Sequence, residues 1–244
     1  MSVSTAITDS LHMFTQVLLV PDVIALFLLV AYALYSIGSA IVEKMTERAH
    51  LSVKLPELMD EIEASDLVKL PRVIAESGML KRQRAAALEL LAHCELPLDS
   101  LTALARRMLD KEHVHYERVV ARTDMVAKLG PMLGLMGTLI PLGPGILSLS
   151  TGDTAALSQA LIIAFDTTVL GIVAAAIAAI VSRIRSLWYE EYASMLETCL
   201  TGLLKRVEDE GDKGSELARV AELSQTLAAE VIAQLPKRQA EKRN

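Results

Sequence analysis

The chain has 244 residues, 52% of them hydrophobic and only 4% aromatic. A mean hydropathy of +0.38 is high for a soluble domain, yet 22% charged residues is too many for a chain lying wholly in a bilayer, so a few spans joined to a sizeable polar part are expected. The net charge of −6 and pI of about 5.4 leave no concentrated basic face, which argues against nucleic acid as a partner.

Met1 to Pro21 begins polar and turns apolar. Leu11, Phe14 and Leu18 fall on one helical face, so this segment reads as extracytoplasmic, with a short interfacial helix. The start lacks a basic region and a small-residue cleavage site, so no removable signal peptide is expected. The first transmembrane helix is assigned to residues 22–42, DVIALFLLVAYALYSIGSAIV, about the length a tilted helix needs for a ~30 Å core. Gly38 and Ser39 permit close helix approach there.

Residues 43–128 differ in kind, with charge rising at once in EKMTER. Helical periodicity follows at Leu55, Leu58, Met59 and Ile62, then at Leu67, Leu70, Val73 and Ile74. Asp66 can cap a short helix, and KRQRAAALELLAHCEL forms another that Pro97 ends. Asp99 or Ser100 can cap the next, which continues without a breaker into the second span. This is read as an all-helical cytoplasmic domain. Residues 129–150 form the second transmembrane helix, 151–154 a tight extracytoplasmic loop, and 155–181 the third transmembrane helix, about 40 Å long. Residues 182–244 are assigned to cytoplasmic helices and a basic tail, with a break at Gly211–Gly214 and a second helix over 216–235. Trp188, Tyr189 and Tyr192 are placed at the membrane edge.

All 24 Lys and Arg fall in two segments, 14 in Glu43–Lys128 and 10 in Ser182–Asn244. The positive-inside rule makes both cytoplasmic, giving an all-α membrane protein with three spans, N-out and C-in.

The two later spans keep polar groups at membrane depth. Asp166 costs about 2.5–3.5 kcal/mol there when charged, and protonation lowers that cost. It reads either as a proton or cation site or as an interhelical hydrogen-bonding group. On a helical wheel Asp166 and Thr168 are about 160° apart, while Gln159 nearly shares the Asp166 face. Thr138 follows Gly134 and Gly137, small residues that admit a neighbouring helix. Pro141, Gly143, Pro144 and Gly145 are expected to interrupt the second span near its outer end. Cys94 and Cys199, without CxxC spacing, read as free buried thiols. His113 and His115, at i,i+2, diverge on one helix and do not form a metal site. No nucleophile elbow, P-loop or HExxH motif is present, so neither an enzyme nor a cofactor is expected.

GPMLGLMGTLIPLG resembles the second-span signature of the MotA/TolQ/ExbB proton-channel family, whose core is [AG]-P-x-L-G-L-x-G-T. ALIIAFDTTVLGIVAAAIAAIV resembles the third-span pattern, in which a Thr precedes a Gly by three residues, here Thr168 and Gly171. The three-span topology is similar to the TolQ and ExbB branch. The resemblance implies a ring of five subunits around the spans of single-span partners of the ExbD, TolR or MotB type, in the inner (cytoplasmic) membrane. Ion flow, with the proton as the expected ion, would drive mechanical work or energised transport. It implies that Thr138 and Thr168 line the ion path and that Gly134, Gly137 and Gly171 serve helix packing. Many TolQ and ExbB members carry a Glu where this chain has Ile163. Asp166, about one turn later and roughly 60° around the helix, offers a carboxylate in its place. A non-conducting scaffold or accessory subunit of a transport or secretion complex is the alternative.

Overall fold

The computed structural model describes residues 3–46, 55–210 and 214–233. Among them every regular element is helical: α1 (Val3–Thr46), α2 (Leu55–Ala64), a 3₁₀ turn (Leu67–Lys69), α3 (Leu70–Glu76), α4 (Lys81–Leu91), α5 (Leu98–Ser150), α6 (Thr154–Asp209) and α7 (Gly214–Ala233). The chain forms two compact units. One comprises Met1–Ile41 with Arg118–Ser186, the other Val42–Glu117 with Leu187–Asn244. The expected break at Gly211–Gly214 falls largely, and the basic tail wholly, outside the described residues, as does the side chain of Leu11.

The first unit contains the apolar stretches of α1, α5 and α6. Three helical segments, Met13–Met45, Leu98–Ser150 and Thr154–Asp209, are long and apolar enough to cross a membrane, with peak mean hydropathies of 2.5, 1.6 and 2.2. Only 17%, 22% and 33% of those peak windows is buried within the chain. Most of the apolar surface is therefore left for lipid or for other chains.

What is buried follows narrow seams. On α6 the seam reads Ala160, Ala164, Thr167, Gly171, Ala174, Ala178, Val181 and Arg185, alternating steps of four and three. That spacing keeps one stripe of a helix against its neighbour, and small residues let the backbones come close. On α5 the seam reads Thr123, Val126, Gly130, Gly134, Gly137, Pro141 and Gly145. The stretch from Pro141 to Gly145 is thus part of a packing surface, and α5 runs through Pro131, Pro141 and Pro144 to Ser150. The expected interruption does not occur. Each proline removes one helical hydrogen bond, but Pro141 and Gly145 face inward, and a Cβ on Gly145 would meet Ala160 Cβ at 2.8 Å. Likewise α1 continues through Pro21, so no separate short helix precedes it. Gly152 closes the α5–α6 turn with φ +77°, a left-handed conformation that glycine adopts without strain. Asp153 Oδ1 then accepts from Ala156 N–H at 3.0 Å and caps α6.

The second unit has a conventional apolar core. Leu58, Ile62, Leu67, Leu70, Ile74, Leu88, Leu91, Leu101, Leu196, Leu200, Leu203 and Val220 are all buried in one cluster. Pro71 sits in the first turn of α3, where its missing N–H costs nothing. Asp66 occupies the cap position of the 3₁₀ turn without a side-chain cap bond. Helix α4 stops at Leu91 in successive tight turns, His93 N–H to Leu90 O and Cys94 N–H to Leu91 O, well before Pro97. Pro97 instead precedes α5 and accepts from Leu101 N–H at 3.0 Å. Asp99 and Ser100 consequently lie inside the first turn of α5, where the Asp complements the helix dipole rather than capping.

Polar ties cross this core. Arg82 grips Glu112 with two parallel bonds, Nε to Oε2 at 3.1 Å and Nη2 to Oε1 at 2.9 Å. Arg206 Nη2 donates to Ser65 O at 3.0 Å. Tyr189 and Tyr192 depart from the expected membrane-edge belt. Both are buried, and Tyr189 stacks on Tyr116 with centroids 4.6 Å apart. An amphipathic ring fits a protein core with a polar edge as well as it fits a membrane edge; Trp188 remains half-buried. His115 lies 3.3 Å from Arg82 Nη1, whereas His113 is exposed. Cys94 and Cys199 are both buried free thiols.

Candidate ion pathway

The polar groups of the first unit are sorted by the α5–α6 seam. Where Gly134 leaves its gap, the backbone of α6 moves in: a Cβ there would lie 3.3 Å from Thr167 O and 3.4 Å from Thr168 Cα. One turn further, a Cβ on Gly137 would lie 2.7 Å from both Cβ and Oγ1 of Thr167, and 3.0 Å from Oδ2 of Asp22. Glycine at 137 thus makes room for a hydroxyl from α6 and a carboxylate from α1 on one spot of α5.

Thr168 is half-buried. Its hydroxyl donates to Ala164 O at 3.0 Å and lies 3.5 Å from Gly134 O. Thr138 is also half-buried and donates to Leu135 O at 2.6 Å. Both hydroxyl protons satisfy main-chain carbonyls, which leaves the oxygen lone pairs as acceptors. Thr168 lies against Gly134, one turn before Thr138, so the two threonines belong to the same stretch of the hairpin. Gly171 packs on Gly130 and Gly134.

Asp166 is set apart. It is exposed on the outer side of α6, as are Gln159 before it and Phe165 beside it. The structure therefore does not bring Asp166 together with Thr168 inside one chain. An exposed carboxylate on so apolar a helix is costly against lipid, and such groups favour a wet cavity or another protein surface.

The residue that sequence reasoning missed is Asp22. The sequence places it at the head of the first span, residues 22–42. Instead it lies well inside α1, preceded by the apolar stretch Met13–Val20, and it is 1% exposed. It shares the inner face of α1 with Leu26, Ala33 and Ser36. Neither carboxylate oxygen has a hydrogen-bond partner among the described residues. The signal available in the sequence was that apolar lead-in: an acid at the head of a span should follow polar residues, and this one follows VLLVP. Nearer the basic segments a polar tie joins α6 to α1, Arg185 Nη2 to Ser39 Oγ at 2.9 Å.

Residues 76–198 match the model of the MotA/TolQ/ExbB proton channel family. The match runs from the end of α3 through α4, α5 and most of α6, and so contains the whole glycine seam. No curated protein and no solved structure matches the chain.

Proposed function

Since the chain belongs to the MotA/TolQ/ExbB proton channel family, whose members are membrane channels and transducers rather than enzymes, we propose that this multi-pass membrane protein is the ion-conducting ring subunit of a membrane motor. In this reading a homopentamer surrounds the span of an ExbD- or TolR-like partner in the inner membrane. Proton flow along Thr138, Thr168 and Asp166 drives mechanical work or energised transport. Each charge moving down the gradient supplies about 2.3 kcal/mol per 100 mV. The amino terminus lies outside and both basic segments lie in the cytoplasm.

The observation that carries the reading is the α5–α6 hairpin, which lacks Lys and Arg from Leu129 to Val181 yet presents threonine oxygens and a carboxylate at membrane depth. Assembly into a ring is supported by the apolar surface the chain leaves uncovered. The exposed face of α6 bearing Asp166 would meet a neighbouring subunit or the pore.

The test is proton flux into vesicles holding the full chain together with the single-span protein that copurifies with it. Flux is expected, falling in Asp166→Asn and in Thr168→Val. Stable assembly with no flux would replace the channel reading by the scaffold one.

A further inference from the structure

The carboxyl of Asp22 has no part in the route drawn from the family's threonines, and its surroundings are unusual. It comes from α1 and is covered by α5 and α6 at Gly137 and Thr167. Its depth follows from helix rise. Gly137 is about 21 Å along α5 from the turn at Thr151, and about 14 Å from Lys128, the last basic residue before the span. The group therefore sits well within the apolar slab.

The charges around it are few. Among the described residues, α1 from Met13 to Val42 has no other acid and no Lys, Arg or His. On α5, Gly130 to Ser150 contains no titratable side chain, and on α6, Thr154 to Val181 contains only Asp166, which is exposed. No counter-charge therefore lies in these stretches among the described residues; the buried cation of the same α6 seam, Arg185, is about 27 Å along the helix from Thr167 and bonds Ser39.

The hydrogen-bonding inventory then selects a protonation state. An ionised carboxylate only accepts. The Thr167 hydroxyl stands at the same Gly137 gap, and its single proton is already shared between Ile163 O at 2.9 Å and Ala164 O at 3.0 Å. It has nothing left to donate. A protonated carboxyl reverses the polarity, because its O–H can donate; Thr167 Oγ1, an acceptor at the same gap, is not hydrogen-bonded to it in this structure. Pro141 adds a second acceptor to this level of the bundle, since it has no N–H for the Gly137 carbonyl. Among the described residues no donor reaches either carboxylate oxygen, so an unpaired carboxylate buried there is strongly disfavoured. What the site accommodates is a carboxyl carrying a proton.

We propose that Asp22 is a proton-binding residue within each subunit, holding its proton against Thr167 at the Gly137 gap and exchanging it during transport. In the transfer a hydronium gives up a proton to the carboxylate and leaves as water, and the reverse step returns the proton to water on the other side. The role in transport rests on the channel reading, whereas proton binding is a property of this chain alone.

Two measurements on the full-length protein separate these. The first is infrared spectroscopy of the chain in lipid at neutral pH. A protonated-carboxyl carbonyl band is expected in the wild type. It should be lost in Asp22→Asn, retained in Asp166→Asn, and moved but not lost in Asp22→Glu, which controls for misfolding. No band dependent on residue 22 overturns the proposal. Loss of the band on adding sodium at fixed pH also overturns it, and makes the site a sodium site. The second is flux in the reconstituted complex, expected to fall about a hundredfold in Asp22→Asn. Wild-type flux with unchanged flux in Asp22→Asn overturns the role in transport. A wild type without flux that keeps the Asp22 band overturns the channel reading and leaves the proton site standing.

Discussion

Gly130 and Gly171 stand back to back in the α5–α6 hairpin. A Cβ on Gly130 would lie 2.6 Å from the carbonyl oxygen of Gly171, and a Cβ on Gly171 would lie 2.5 Å from the carbonyl oxygen of Gly130. The atoms in the way are backbone, so no side-chain rotation relieves the clash. Gly171→Ala or Gly130→Ala must push the helices apart, and is expected to cost about 1–3 kcal/mol. Gly143 sits on the same helix with nothing within 4 Å of an added Cβ. Gly143→Ala is accordingly expected to be neutral or slightly stabilising. Thermal unfolding of the three variants in detergent checks the contrast; equal melting of Gly171→Ala and Gly143→Ala would remove the close-approach argument.

Gln83 is fully buried and ties two helices of the second unit. Its Nε2 donates to Tyr192 O at 2.7 Å, and its Oε1 accepts from Leu80 N–H at 3.3 Å. Gln83→Leu keeps the volume approximately but strands the Leu80 N–H at the start of α4. A loss of about 1–3 kcal/mol is expected, read as a lower melting temperature of the full chain.

The parts of this fold legible in the sequence are those set by composition. The absence of Lys and Arg from the hairpin and the apolar lengths of the spans are counts, and tertiary packing does not alter them. The uninterrupted passage of α5 into its apolar half was likewise readable, because no breaker intervenes before Gly130. What escaped depended on facing. The prolines at 141 and 144 carry a helix-breaking signal, but each removes a single bond, while the inward-facing Pro141 and Gly145 join a seam with α6. Tyr189 and Tyr192 carry an interfacial signal that does not distinguish lipid headgroups from a protein core. Asp22 escapes because an acid beside a proline at the edge of an apolar run looks like a boundary. Its burial depends on Gly137 and Thr167, more than a hundred residues away in the chain.

Tyr116 and Tyr189 give the second unit an aromatic contact between α5 and α6, nearly parallel at 18°. The stacking contributes about 0.5–1.5 kcal/mol beyond the area it buries. Tyr189→Phe keeps the ring and is expected to stay near the wild type in stability. Tyr189→Ala is expected to lose about 3–5 kcal/mol, as large buried rings do. A chemical denaturation series on the two variants tests this, and similar losses would point to the hydroxyl rather than the ring.

The two thiols give the second unit an alkaline limit. Burial pushes Cys199 up to about 12. Burial first, and then the nearby Glu95 carboxylate, push Cys94 up to about 11, from an ordinary value of 9.0 for each. Both shifts favour the protonated thiol in the folded state. The unfolded chain therefore releases these protons first as pH rises, so the folded state holds more of them above pH 9. Stability is expected to be fully present below about pH 9 and to fall as pH rises toward 11 and 12. Cys199→Ala should flatten that decline while costing some stability at neutral pH through the lost sulfur volume. The same burial should make both thiols slow toward iodoacetamide at pH 8 in the folded protein and fast after denaturation. Rapid native-state labelling of Cys199 would mean that α6 opens locally at the core of the unit.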